Sequence, residues 1–331
     1  MIRFLLTRLA GAVGVLVALA SIVFVLQAIV PGDPVRARVG ANASAEVVAR
    51  ERERLGFDRP LLQRYADYMG DAATGSLGES VRTRRPVLTD IGQFLPATAS
   101  LAIASMLLAI VGGFALGILG ALSGRGAGVT RLLFIAGASA PGFLLGLGFI
   151  YLFYLKLGWL PASGASSSSG DPTGPTRVVL IDGVLAGDGA VALDALKHYV
   201  LPSVALALLP AVAIGRVLRS SLLDVYRSDY IRTADAKGLA PRTVLWQHGL
   251  RNALSAPLTM TGLQFGLLLG GVVVIETVFA WPGIGLYTNQ SIKAGDLGAV
   301  TGVTLVIGAG YVLVNVFVDL AQALADPRIR L

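Results

Sequence analysis

Long uninterrupted apolar runs constrain this chain more than any other feature of its sequence. Six of them, roughly 9 to 30, 98 to 122, 131 to 155, 199 to 219, 257 to 279 and 299 to 321, approach the length at which a single helix crosses the hydrocarbon of a bilayer. A helix satisfies its own backbone hydrogen bonds where no water is present, so runs of this kind predict an all-α integral membrane protein with six transmembrane helices. A soluble domain of 331 residues would spread its apolar side chains over amphipathic elements; here 54% of the residues are hydrophobic, only 14% are charged, and the apolar ones are collected end to end. The first run is too long for a signal-peptide core, no small-x-small cleavage site precedes the charged region, and Pro31, Gly32 and Asp33 follow it directly, so an uncleaved spanning helix is expected.

Charge then orients the spans. Arg3 and Arg8 precede the first run, which by the positive-inside rule places the amino end in the cytoplasm, and six crossings return the carboxyl end to the same side. The loop after the second span carries Arg125 and Arg131 and no acid, and the tail ends with Asp326, Pro327, Arg328, Ile329 and Arg330. The region from 220 to 256 is rich in Arg and Lys, whereas the opposite loops, 156 to 198 and about 281 to 298, are not. A net charge of +7 concentrated beside apolar runs fits topology control and anionic lipid headgroups, and nucleic acid is not an expected partner. With no Cys there is neither a disulfide nor a thiolate metal site, and His198 and His248 are too far apart in the chain to suggest a zinc site.

The long segment from 31 to 97 reads as a small structured cap on the outer side. Ser44 precedes AEVVARERERLG, whose acids and bases fall at helical spacing, with Gly56 as its stop. A second helix is expected from about Pro60 to Gly70, with Leu61, Leu62, Tyr65 and Met69 on an apolar side that rests on the domain or on headgroups. In the second span Gly113 and Gly117 form a small-x-x-x-small step suited to close helix packing, and Gly142, Gly146 and Gly148 repeat the theme after Pro141. The loop that begins PASGASSSSGDPTGP reads as exposed; Val178 to Ile181 could be a short strand or a packed patch, and 190 to 196 a surface helix. Pro202 and Pro210 allow a bend or interruption in the fourth span, and Arg216 and Arg219 near its cytoplasmic end can reach headgroups or a partner. Ala280, Trp281, Pro282 and Gly283 are expected to form a turn with Trp281 at the headgroup level.

The stretch DVYRSDYIRTADAKGLAPRTVLWQHGLRNALSAP, Asp224 to Pro257, is polar and basic between two apolar runs. Asp224 to Ala236 can form a helix with Tyr226, Tyr230, Ile231 and Ala234 on a partly apolar face, and Gly238 can end it in a left-handed cap. Pro241 can open a second helix that buries Val244, Leu245, Leu250 and Leu254. A loop so ordered on one side of a membrane suits a soluble partner.

TADAKGL, followed after an interval by Ala256 and Pro257, resembles the coupling-loop motif of ABC importer permeases, and YIRTADAKGL with HGLRNAL resembles its dipeptide, oligopeptide and nickel subclass. The general importer form begins Glu-Ala-Ala and ends Leu-Pro; Arg232, Thr233, Ala234 and Ala256, Pro257 stand at those positions, and Asp235 stands where the subclass commonly has a base. PGDP at 31 to 34, LGFDRPLLQRY at 55 to 65, GSLGES at 75 to 80, LPAT at 95 to 98, VVVIETVFAWPGIG at 272 to 285 and the terminal LADPRIRL extend the resemblance along nearly the whole chain.

The resemblance implies the type I ABC importer permease fold as a single domain in a prokaryotic inner (cytoplasmic) membrane. It implies a second homologous permease, two ATPase domains on separate chains that use ATP and Mg, and an extracytoplasmic solute-binding protein that delivers a peptide. The ATPase-coupling residues it implies are Tyr226, Asp229, Tyr230, Arg232, Thr233, Ala234, Asp235, Ala236, Lys237 and Gly238. The chain has no GxxxxGK[ST] phosphate loop, GRGAG near 124 lacking the Lys, so it is expected to bind no cofactor and not to be an enzyme by itself. Glu276, costly in a span unless paired or hydrated, and Asn315 are the candidate polar sites, structural or lining the pathway. Nickel or glutathione import is the alternative within the family; an ion-coupled secondary transporter and a membrane enzyme are the alternatives outside it.

Overall fold

The computed structural model describes residues 2–29, 34–40, 42–54, 56–122, 128, 134, 137, 141–167 and 174–325. Arg125 and Arg131, the first four residues of GRGAG, most of the 131–140 stretch of the third expected span, the first three residues of PGDP, the middle of the Ser-rich loop, the side chain of Asp319 and the tail from Asp326 lie outside them. Among the described residues every regular element is helical, and the only β pairing is a single antiparallel bridge between Glu79 and Pro86.

Among the described residues five helices are long and apolar enough to cross a membrane: α1 (Ile2–Ile29), α5 (Val87–Leu122), α8 (Gly189–Tyr226), α11 (Ser255–Val278) and α13 (Leu297–Ala325). The third expected span is represented by α6, Gly142–Lys156, in which eight α-helical residues pass into seven of wider π geometry. The shorter helices are α2 (Pro34–Val39), α3 (Ala45–Arg54), α4 (Leu61–Thr74), α7 (Val179–Leu185), α9 (Asp229–Ala236), α10 (241–253) and α12 (Ile284–Lys293).

Several boundaries move for identifiable reasons. α5 begins at Val87, well before the apolar run, because Pro86 is compatible with a helix start and its carbonyl accepts from the amides of Thr89 and Asp90. α8 starts at Gly189, where the Asp188 carboxylate accepts from the amides of Ala190 and Val191, so the expected surface helix at 190 to 196 is the first part of α8 itself. Pro202 and Pro210 lie within α8 without ending it. At 1.5 Å per residue, α5 and α8 are each over ~50 Å long, more than the hydrocarbon is thick, so part of each stands outside it. Val178 to Ile181 is not a strand, because the chain turns into α7 at Val179. α4 runs past Gly70 to Thr74, and Gly75, at φ 82°, supplies the left-handed cap.

The chain divides into two compact units, Met1–Pro96 with Pro282–Leu313, and Ala97–Trp281 with Val314–Leu331. In the first, Val87, Ile91, Ile284, Tyr287, Ala299 and Val303 form the core, and Phe94 stacks on Tyr287 at 5.1 Å between ring centroids. Beside this core lie two fully buried carboxylates. Asp90 accepts from Thr83 Oγ1 at 2.5 Å and from Tyr287 Oη at 3.0 Å, and pairs with Arg85 at 2.6 Å. Asp296 accepts from Ser80 Oγ at 2.5 Å and from the amides of Arg82 and Ala299, the latter in the first turn of α13. Burial pushes the Tyr287 hydroxyl up to about 12, and its hydrogen bond to Asp90 acts in the same direction.

The second unit is mainly apolar. Leu101, Ala109, Leu201, Ala205, Ile214, Leu268, Val272, Ile275 and Phe279 belong to one core. Here Gly113 and Gly117 bring α5 against α8: a Cβ at Gly113 would lie 2.8 Å from the carbonyl oxygen of Ala211, and one at Gly117 2.9 Å from that of Gly215. Gly146 of α6 similarly faces the Phe279 ring at 3.0 Å. Trp281, expected among headgroups, is instead completely buried: its Nε1 donates to the Ala97 carbonyl at 3.1 Å and its ring meets Tyr199 edge-on at 4.6 Å. An internal acceptor for the indole N–H removes the reason for the ring to seek the interface.

Candidate functional site

The polar stretch after the fourth span folds into a corner of two helices. α8 continues through Asp224 and Val225 and ends at Tyr226, so the single helix expected from 224 to 236 is two elements. Arg227 and Ser228 form the break, with Ser228 Oγ donating to the Val225 carbonyl at 2.5 Å, and α9 then covers Asp229–Ala236. Gly238 takes φ 73°, with its amide on the Asp235 carbonyl and that of Leu239 on the Ala234 carbonyl. This is the left-handed helix stop expected at that glycine. Pro241 is the first residue of α10.

Only two residues of α9 point inward. Ile231 and Ala234 are buried with Val244, against Val225 and Tyr226. A second cluster, Leu218, Leu222, Leu245, Leu250 and Ala253, fastens α10 to α8, and Gly249 lets the Tyr226 ring approach to 3.4 Å from the position of a Cβ. Leu254, expected on the buried side, is half-buried. Asp229, Tyr230, Arg232, Thr233, Asp235, Ala236, Lys237 and Gly238 are all exposed. Tyr230 was expected on the apolar face and is not there, because Ile231, the next residue, takes the inward position. Arg232 and Asp229 form an ion pair at 3.4 Å, so exposed that it adds little to stability. The corner is therefore a polar surface riveted to α8 by a small apolar core. Ile231 and Ala234 thus meet Val244 of α10 and Val225 and Tyr226 in the last turn of α8.

Higher in the second unit, α6, α8 and α11 line a cavity of about 430 Å³. Its walls are apolar apart from Arg216 and Gln264. Arg219, grouped with Arg216 in the sequence, instead donates from Nε to the Gly120 carbonyl at 3.0 Å near the end of α5. Glu276 is fully buried and accepts from Thr98 Oγ1 at 2.6 Å, while Asn315 is half-buried in α13. Among the described residues no group of three or more His, Asp or Glu is placed to hold a metal.

Asp90, Asp296 and Tyr287 were not singled out by their sequence. The signal available was slight: each acid lies shortly before or within the first turns of a long helix, beside a polar turn. Gln264 is a lone amide in an apolar span and carried no motif.

Two family profiles match the chain. The binding-protein-dependent transport system inner membrane component matches residues 113–331, and the N-terminal membrane component of the same systems matches residues 1–102. The chain is 39% identical to the dipeptide transport system permease protein DppB of Alkalihalophilus pseudofirmus, over 100% of both chains. It is 43% identical to the probable D,D-dipeptide transport system permease protein DdpB of Escherichia coli, over 96% of this chain and 95% of that one. It is 36% identical to the glutathione transport system permease protein GsiC of Escherichia coli, over 100% of this chain and 99% of the relative.

Proposed function

The chain belongs to the family of binding-protein-dependent transport system inner membrane components, permease subunits of peptide-type ABC importers coupled to separate ATPases, and from that premise we propose that it forms half of a dipeptide or oligopeptide pathway. The other half is a second homologous permease. Two ATPase domains on separate chains use ATP and Mg, and a solute-binding protein outside delivers the peptide. The chain sits in a prokaryotic inner membrane with six spans and both termini in the cytoplasm, residues 31 to 97 forming an outer cap.

In this arrangement the corner from Tyr226 to Gly238 receives the ATPase. The observation that carries the assignment is its division of labour: eight exposed residues offer a docking face, while Ile231 and Ala234 are packed onto the end of α8. Movement of the ATPase domains displaces α9, α8 moves with it, and the wall of the cavity beside Arg216 and Gln264 changes shape. Glu276, held by Thr98, acts as a structural pair at the end of α11. Glutathione, itself a short peptide, is the second reading, favoured by the full-length similarity to GsiC.

Gly238→Trp tests the corner. No atom lies within 4 Å of a Cβ built there, so the substitution acts through the left-handed backbone and the docking face rather than through a clash. The complex is expected to assemble in the membrane and to lose substrate-stimulated ATP hydrolysis. Unchanged stimulation in an assembled complex would sink the assignment.

A further inference from the structure

The cavity between α6, α8 and α11 carries its two polar groups at one end. α8 and α11 run in opposite directions: Leu218 and Leu222, near the end of α8, pack with Ala253, just ahead of the start of α11, while further along a Cβ on Gly271 would lie 3.6 Å from the Leu206 side chain. At 1.5 Å per residue, Arg216 stands roughly 15 Å before the end of α8 and Gln264 roughly 14 Å after the start of α11. Both therefore lie at one depth, on the corner side of the cavity. Ala205, Leu206, Val274 and Ile275 line the other end.

The two arginines of this part of α8 differ in how far they are committed. Arg219 gives its Nε proton to the Gly120 carbonyl at 3.0 Å, whereas among the described residues Arg216 has neither a carboxylate nor a carbonyl partner. No acidic residue lines the cavity. A guanidinium so far inside an apolar helix is costly unless water or an anion meets it. Gln264 is nearly as free: its Nε2 rests on Met260 Sδ at 3.6 Å, a weak acceptor, which leaves the amide with a donor and an acceptor to offer.

We infer that Arg216 is a specificity-determining residue of the pathway, holding the terminal carboxylate of the passing peptide while Gln264 hydrogen-bonds the adjoining peptide unit. The inference rests on the reading of the chain as a peptide permease and adds the group of the solute that this subunit recognises. Side chains differ from one peptide to the next, and apolar walls sort them weakly; the carboxylate is what they share. A guanidinium matches it with two parallel hydrogen bonds. A cavity of about 430 Å³ falls in the range of small-molecule sites, and with no acid on its walls it offers the amino end no counter-charge.

The test is uptake by the reconstituted complex, with its binding protein, of a dipeptide with a free carboxyl end and of the same dipeptide as its C-terminal amide. Any preference of the binding protein enters wild type and variants equally, so a change in the ratio of the two uptakes reports on the permease. Arg216→Gln should lower the carboxylate-to-amide ratio by about tenfold, as expected for losing a hydrogen bond between charged groups. Arg219→Gln, outside the lining of the cavity, should keep the wild-type ratio. If the amide is not delivered at all, Arg216→Lys takes its place: it restores a cation and should hold uptake of the carboxylate peptide within about threefold of wild type, where Arg216→Gln does not. A ratio unchanged in Arg216→Gln, with uptake intact or with both peptides falling alike as for an arginine that serves only lipid or packing, would overturn the inference, as would an Arg216→Lys no better than Arg216→Gln. A wild-type complex that carries neither peptide would overturn it at its base, and that failure of the peptide reading is told apart by appearing before any substitution is made.

Discussion

In the first unit, Asp90 and Asp296 draw together Ser80, Thr83, Arg82, Arg85 and Tyr287 through hydrogen bonds and an ion pair. In the second, α5 and α8 are held by the absence of side chains at Gly113 and Gly117, where the backbone of one helix meets that of the other. Both devices fix how helices are placed, but by different physics. Buried charge tolerates no missing partner, since an uncompensated carboxylate or guanidinium in low dielectric costs several kcal/mol. Close packing tolerates no added atom, since dispersion contacts turn repulsive within a fraction of an ångström. The first unit should therefore be most sensitive to deletion and the second to enlargement.

Asp90→Ala is expected to have the largest effect. It leaves the Tyr287 and Thr83 hydroxyls without their acceptor, while Arg85, half exposed and also bonded to Gln93, can turn to water; the loss should be about 2–4 kcal/mol, read as a fall in the thermal midpoint or in the yield of assembled complex. A variant as stable as the wild type would show that the polar cluster does not hold the unit together. Gly117→Leu probes the other side of the contrast. Its side chain would drive into the Gly215 carbonyl and Leu218, and a destabilisation of about 1–3 kcal/mol is expected, with Gly112→Ala, whose nearest neighbour is an ordinary 3.8 Å away, close to neutral. Equal effects of the two would remove the distinction between close and ordinary helix contacts.

Tyr287→Phe is expected to act more mildly and to carry a pH signature. The folded hydroxyl titrates at about 12 against an ordinary 10, so the unfolded chain releases its proton first as the pH rises. The stabilisation is complete below pH 10 and is lost between 10 and 12. Tyr287→Phe should flatten that decline in a denaturation series, and an unchanged slope would mean that another group causes it.

What the sequence disclosed follows from the range of the interactions involved. Uninterrupted apolar runs and single-residue backbone requirements are local, and so five long apolar helices, the left-handed stop at Gly238 and the start at Pro241 could be read directly. Gly113 and Gly117 were legible for the same reason, as a pair four residues apart on one helix. Asp90 and Asp296 were not, because their partners are separated in the chain by up to about 200 residues and no local pattern links them. Trp281 was misplaced on a related ground: the rule that puts indoles at interfaces is a default, and the Ala97 carbonyl that overrides it is far away in sequence. Tyr230 was assigned inward by helical periodicity, but the break at Arg227 and Ser228 resets the phase of α9 relative to α8.

The chain contains no cysteine, which makes the proposed docking face directly addressable. In Ala236→Cys the only thiol of this subunit lies on the exposed side of α9. A photoactivatable reagent attached there, in membranes containing the whole complex, should give an adduct with a chain carrying a phosphate-loop sequence. Adducts with lipid alone, or no protein adduct in complexes that still transport peptide, would contradict the claim that this corner receives the ATPase.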